Sequence, residues 1–165
     1  MRKHAIAVAA FMSFVATSPA IADCTARDVL CEQHKVTQGP EAATRLAGYL
    51  GGPLPDGVVV SHLLEGGFQD SFIVVRLEAN DPGLQQFVKL LGLTDEQFFT
   101  RNDAETAGQV LDGAAEKPDW WDWQTTTDLR VAKTETPALP FLSVGLASKP
   151  GVLDRYVIYL WGFET

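Results

Sequence analysis

The segment VLDRYVIYLWGFE, residues 152–164, is the most informative stretch for the fold. In an extended strand, successive side chains point to opposite faces. Both faces of this segment are apolar, with Val152, Tyr156, Ile158 and Leu160 on one and Leu153, Val157, Tyr159, Trp161 and Phe163 on the other. A strand that is apolar on both faces is covered on both. The sequence therefore predicts a central strand between two layers.

Four other segments have strand character. LRVAKTET (129–136) and FLSVGLAS (141–148) precede the central strand, with breaks at PALP and KPG, and together with it they predict an antiparallel meander. Further upstream, VVVSHLL (58–64) and SFIVVRLEA (71–79) flank EGGFQD. We therefore predict a β-hairpin that turns at Gly66-Gly67.

The remaining core segments have helical signals. A short helix is expected from Pro40 to Leu50, and a second from an Asp81 N-cap to Gly92. A capping box at Thr94 predicts a further helix, and residues 103–115 predict a weaker one. The expected fold is α+β: an antiparallel sheet of about five strands, the hairpin plus the three-stranded meander, with two to four helices mainly on one face.

Residues 1–22 have the pattern of a secretory signal peptide. Arg2 and Lys3 precede an apolar run over 5–15, and Ala20 and Ala22 occupy the small-residue positions of a cleavage site. We expect cleavage near Ala22 and export to the periplasm or outside the cell. Asp23, directly before the first cysteine, argues against a lipid anchor. The apolar run is shorter than the about 20 residues that span a membrane, and no later segment approaches that length.

The exported chain is expected to form a single domain, in which residues 23–57 pack with an α+β core of residues 58–165. Cys24 and Cys31 are the only cysteines, and in an exported protein they are expected to form a disulfide. A continuous helix would separate their Cα atoms by about 10.5 Å, beyond the roughly 7 Å that a disulfide bridges. The segment CTARDVLC must therefore bend.

The charge restricts the possible partners. The formal net charge is −8, and loss of Arg2 and Lys3 with the signal peptide would change it to −8 − 2 = −10. Such a surface repels nucleic acid and anionic lipid, so neither is expected as a partner, whereas cationic partners would be attracted. The charge is also consistent with simple solubility. The oligomeric state is not specified by the sequence.

The segment KPDWWDWQ, residues 117–124, contains three of the four tryptophans. Either the loop buries large rings in the core, or Asp119, Trp120, Trp121, Asp122 and Trp123 form a ligand-binding surface for a basic protein or a glycan. The two interpretations are compatible, because in an extended loop residues 121 and 123 share one side and residue 120 faces the other.

A catalytic role would begin at His62, in the predicted hairpin. With a two-residue turn, His62 would lie opposite Ser71, and Asp70 would face the other side; a one-residue slip would bring Asp70 opposite His62. Ser71 lacks a nucleophile-elbow context. The sequence contains no zinc, calcium, phosphate-loop or dinucleotide pattern, so neither a metal nor a cofactor is expected.

These observations favour a small exported, non-enzymatic binding protein with an acidic, tryptophan-rich surface. Its partner would be a basic protein, in the manner of an inhibitor or immunity protein, or an envelope glycan. Two alternatives stay open. One is a secreted hydrolase that uses His62 or a carboxylate pair such as Asp119 and Asp122. The other is a structural envelope protein that assembles through a sheet edge.

Overall fold

A computed structural model describes residues 35–67, 71–106 and 118–164 of the chain. The predicted signal peptide, the pair Cys24 and Cys31, and Asp70 lie outside these ranges, so the statements about them stay predictions. None of the helices in the described ranges is both long and apolar enough to cross a membrane.

Within the described residues, seven strands form one antiparallel sheet in the order β1-β2-β3-β7-β6-β5-β4. The strands are β1 Lys35–Thr37, β2 Val58–Gly66, β3 Phe72–Asn80, β4 Phe99–Thr100, β5 Arg130–Thr134, β6 Phe141–Ser148 and β7 Arg155–Phe163. The helices are α1 Gly39–Leu50, α2 Asp81–Leu90 and α3 Arg101–Thr106, with 3-10 turns at Asp95–Gln97 and Trp123–Thr125.

The central position of the last strand is confirmed. β7 pairs with β3 from Arg155 to Phe163 on one side and with β6 from Tyr156 to Phe163 on the other. The α+β class, the hairpin β2–β3 and the meander β5–β6–β7 are also as predicted. The expected number of strands was too low, because the sheet also includes β1 and β4, which have only three and two residues.

The predicted register of the hairpin was wrong. Gly66 pairs with Phe72, so the connection comprises residues 67–71 and is not a two-residue turn at Gly66-Gly67. The register also shifts between Val60 and His62, where Ser61 forms an irregularity in the ladder. As a result His62 lies opposite Arg76, not opposite Ser71 or Asp70.

Helices α1 and α2 cover one face of the sheet. Their buried side chains, including Leu46 and Phe87, pack in one cluster with sheet residues such as Leu63, Leu77 and Ile158. The N-cap of α2 is Asn80, one residue earlier than predicted, and its Oδ1 accepts a 2.8 Å hydrogen bond from the Gly83 amide.

The two remaining predicted helices are shorter than expected. At the Thr94 capping box, the Thr94 amide donates a 2.8 Å hydrogen bond to Gln97 Oε1. Only one 3-10 turn follows, because the chain then enters β4. Of the weak helix predicted over 103–115, the structure describes only the start, within α3, Arg101–Thr106. Residues 107–117 lie outside the described ranges.

A buried glutamate connects α1 to the sheet. Glu65 of β2 receives hydrogen bonds at Oε1 from Arg45 Nη2, at 2.7 Å, and from the Tyr49 hydroxyl, at 2.9 Å. Burial, and then the bond to Glu65, raises the pKa of Tyr49 to about 12. The carboxylate therefore sets the position of α1 on the sheet.

The opposite face of the sheet is covered by the segment 118–125, which we call the tryptophan loop. Its large rings pack with sheet side chains in a second buried cluster: Leu64, Val74, Trp121, Trp123, Leu129, Val131, Ala147, Val157 and Tyr159. The sheet therefore has helices on one face and a loop on the other. This loop brings together the residues that the sequence singled out.

Candidate functional site

Two of the three clustered tryptophans are core residues. Trp121 is 3% exposed and Trp123 is 6% exposed. The Trp121 ring meets the Tyr159 ring edge-on, with 5.5 Å between centroids. The core interpretation is therefore correct for these two rings, and the expectation that they belong to an exposed ligand-binding surface is corrected. Residues 121 and 123 share one side of the loop, as predicted.

Hydrogen bonds hold the loop in this conformation. The Trp121 amide donates to the Pro118 carbonyl at 2.8 Å, which closes a turn. Oriented to satisfy its hydrogen bonds, the Gln124 carboxamide donates to the Trp121 carbonyl at 3.2 Å and accepts from Trp123 Nε1 at 3.1 Å. Arg101 of α3 donates to the Gln124 carbonyl at 2.5 Å, and its guanidinium carbon lies 5.4 Å from the Trp123 ring centroid.

Trp120 is the partly exposed member of the cluster. Its ring stacks on the His62 imidazole, with 4.8 Å between centroids and an interplanar angle of 11°. It also meets the Trp121 ring edge-on at 6.2 Å. The position of Trp120 is therefore fixed on two sides, while part of its surface stays in contact with solvent.

The environment of His62 favours a neutral imidazole. Burial, and then the positive charge of Arg76 on the neighbouring strand, lowers the pKa of His62 below its ordinary value of 6.5. Its Nδ1 atom is buried and has no hydrogen-bond partner among the residues that the structure describes. The groups that contact or face this ring are an indole and a guanidinium.

Asp122 connects the tryptophan loop to the sheet. Its Oδ1 accepts a 2.6 Å hydrogen bond from the Tyr159 hydroxyl and lies 3.5 Å from Arg76 Nε. Burial, and then this bond to Asp122, raises the pKa of Tyr159. His62, Arg76 and Tyr159 are successive cross-strand neighbours on β2, β3 and β7. Asp122 therefore caps a row of polar side chains that crosses three adjacent strands.

The polar row continues along β3. Arg76 Nη1 lies 3.4 Å from Glu78 Oε1, and Lys149 Nζ donates to Glu78 Oε2 at 2.6 Å. The bond from Lys149 is the main reason that the pKa of Glu78 is lowered. The acids Asp122 and Glu78 thus alternate with the bases Arg76 and Lys149 across this face, so the four charges largely cancel.

Of the predicted catalytic residues, the structure describes His62 and Ser71, which are not cross-strand partners, and Asp70 lies outside the described residues. Ser71 is exposed and precedes β3, and its carbonyl accepts a 2.8 Å hydrogen bond from the Glu164 amide. The nearby carboxylate, Asp122, is engaged by Tyr159 and Arg76. Among the described residues, no acid orients the His62 Nδ1 atom, which has no hydrogen-bond partner there. Within the described ranges, no group of three or more potential ligands is placed to hold a metal ion.

Arg76 and Tyr159 were not recognised as site residues from the sequence. A signal for Arg76 was present, because it is the only charged residue in the run FIVVRL. In a strand that is otherwise apolar, a buried cation needs a partner from another element. Tyr159 carried no such signal, because its phenol also fitted the apolar pattern of the central strand.

Three of the residues predicted to bind a ligand stay at least partly exposed, and we call them the binding edge: Asp119, Trp120 and Asp122. Asp119 is exposed, and the Asp122 side chain keeps 47% of its surface exposed. The binding edge thus combines one partly exposed aromatic ring with two carboxylates on the same loop. No protein-family model, curated protein or solved structure shows significant similarity to this chain.

Proposed function

We propose that the chain is an exported, non-enzymatic binding protein whose binding edge contacts a basic protein. One observation carries the proposal: the partly exposed Trp120 ring is held by His62 and Trp121 and directly follows the exposed Asp119, while its neighbours Trp121 and Trp123 are buried. Tryptophan is enriched among residues that dominate interface energies. Export rests on the signal-peptide pattern of residues 1–22.

The rigid placement of Trp120 favours tight binding. Ordering a mobile side chain at an interface costs about 0.5–1.5 kcal/mol. Here the stacking on His62 and the buried anchors Trp121 and Trp123 have already ordered the loop. A partner that contacts Trp120 therefore does not have to order this segment on binding.

The charge distribution favours a basic protein over a glycan at this edge. The net charge of −8 would attract a cationic partner over long range, and Asp119 is exposed for direct pairing. A sugar would stack on a flat aromatic face, but His62 already covers one face of Trp120.

The proposal can be tested with basic proteins of known sequence. Lysozyme, ribonuclease A and cytochrome c would be passed over the immobilised mature protein at low and at physiological ionic strength. We expect at least one to bind with a Kd that rises about tenfold or more for Trp120→Ala and for Asp119→Asn.

The matched control is Glu96→Gln, which removes one exposed carboxylate from the Asp95–Gln97 turn, outside the binding edge. It should lower the association rate slightly and leave the dissociation rate unchanged. If Trp120→Ala and Asp119→Asn behaved like Glu96→Gln, binding would reflect net charge alone and the proposed edge would be wrong.

A further inference from the structure

A concave surface lies on the loop-covered face of the sheet, at the end of β6 and β7 away from the tryptophan loop. It is a groove of about 610 Å³, within the roughly 300–1,000 Å³ of small-ligand sites. Its lining consists of Gln97, Lys133, Thr134, Glu135, Pro140, Phe141, Leu142, Ser143, Trp161 and Phe163. We call it the aromatic groove. It shares no residue with the binding edge.

The sheet register explains why a groove forms here. Phe141 pairs with Phe163, and in the next row of that face Trp161 pairs with Ser143, which pairs with Lys133. The small Ser143 side chain therefore separates a large indole from a long lysine. Ser143, between these two larger side chains, forms the floor of the groove.

Aromatic rings form one wall. The Phe141 and Phe163 rings stack at 4.7 Å with an interplanar angle of 11°, and Phe163 also contacts the Trp161 ring at 5.6 Å. Phe141 is 52% exposed although it is large and apolar. The wall therefore offers an accessible aromatic surface, fixed in place by ring contacts with its neighbours.

We propose that the aromatic groove binds a neutral saccharide. Sugars combine apolar C–H faces, which pack on aromatic rings, with hydroxyls that need hydrogen-bond partners. Half of the ten lining residues carry a polar or charged side chain, and an acyl chain would offer these groups no hydrogen bonds. The Gln97 carboxamide is already oriented by its 2.8 Å bond from the Thr94 amide.

The charges of the groove indicate that the sugar is uncharged. Among the lining residues that the structure describes, Lys133 and Glu135 are the ionisable ones, and their formal charges cancel. These two residues therefore give no net electrostatic attraction to an anionic or a cationic ligand. The binding edge, in contrast, carries two acids that attract a cation.

The test uses the mature protein and two defined probes, the tetrasaccharides of β-1,4-linked N-acetylglucosamine and of β-1,4-linked glucose. Each would be titrated while tryptophan emission is recorded, because Trp161 lines the groove. We expect at least one probe to shift the emission saturably. Phe141→Ala should raise its Kd about tenfold or more, and a sulfated tetrasaccharide should bind more weakly than the neutral one.

Phe99→Ala is the matched control, because Phe99 is an exposed phenylalanine, 40% accessible, that does not line the groove. It should bind the saccharide like the unmodified protein, and so should Asp119→Asn, since the two sites are separate. Absence of saturable binding of either probe would overturn the proposal. So would a Phe141→Ala variant that keeps its fold by circular dichroism and binds unchanged.

Discussion

The His62 imidazole lies parallel to the Trp120 indole, with 4.8 Å between the two ring centroids, and the Arg76 cation is on the strand beside it. Because burial and Arg76 disfavour the imidazolium, the pKa of His62 is below 6.5 in the folded protein. We expect NMR titration of the His62 ring to show this lowered pKa. Substitution Arg76→Gln should move it upward.

The same shift makes stability depend on pH. Between the lowered folded pKa and the unfolded value of about 6.5, the unfolded chain binds more protons, so stability falls as the pH falls through this window. Urea unfolding of His62→Gln at several pH values should show a smaller loss between pH 7 and pH 5 than the unmodified protein. Equal losses in the two proteins would contradict the assignment to His62.

The burial of Trp121 and Trp123 predicts unequal roles within the tryptophan loop. Trp121→Ala or Trp123→Ala should reduce the free energy of unfolding by about 3–5 kcal/mol, as expected for a large buried ring. Trp120→Ala should cost only about 1 kcal/mol, from the lost ring stack. Chemical denaturation measured by circular dichroism distinguishes these values, and a loss for Trp120→Ala as large as for Trp121→Ala would refute the distinction.

The hydrogen bond from Tyr159 to Asp122 predicts a modest energetic coupling. Tyr159→Phe removes the donor, and since the Asp122 carboxylate is half exposed, water can replace the bond. We expect a loss of about 1 kcal/mol. A double-mutant cycle with Asp122→Ala, which removes the acceptor, should give a non-additive term of about 0.5–1 kcal/mol. Fully additive losses would show that this contact does not hold the loop on the sheet.

The Tyr49 hydroxyl, bound to the buried Glu65 carboxylate, predicts a distinct alkaline behaviour. Its pKa is raised to about 12, so the protonated phenol stabilises the fold below the unfolded value of about 10, and this contribution is lost as the pH rises towards 12. Tyr49→Phe should cost about 1.5–3 kcal/mol near pH 8. Its stability should also decline less between pH 10 and pH 12, and a decline as steep as that of the unmodified protein would argue against this role.

The main strands were predictable because their patterns are long. Nine residues of β7 with two apolar faces specify a central strand, and the three strands of the meander are separated by clear proline breaks. β1 and β4 could not be predicted, because segments of three and two residues are too short to show a period. They owe their extended form to pairing with β2 and β5.

The hairpin register illustrates a second limit. Glycines at 66 and 67 predict a tight turn, but Gly66 is the last residue of β2 and pairs with Phe72. The irregularity at Ser61 adds another shift, and no residue type there announces it. Because side chains alternate along a strand, such shifts decide which residue faces His62, and they cannot be derived from local propensity alone.

At the candidate site, the alternation of the tryptophan loop was predictable, but the buried side was not. Residues 121 and 123 were expected to share a side, yet only the three-dimensional contacts with Tyr159 and Val157 show that this is the side towards the sheet. The aromatic groove was also hidden, because it depends on the register that places Ser143 between Trp161 and Lys133.

The two layers on the sheet differ in how they could come apart. The tryptophan loop contributes no strand to the ladder, so its detachment would break side-chain contacts but none of the backbone bonds among β3, β7 and β6. The backbone amides of the loop should therefore exchange with solvent deuterium through local opening. The amides of β7 should exchange only through global unfolding. A partner bound at Trp120 would slow amide exchange in the loop, so binding could be detected by hydrogen exchange without labelling either protein.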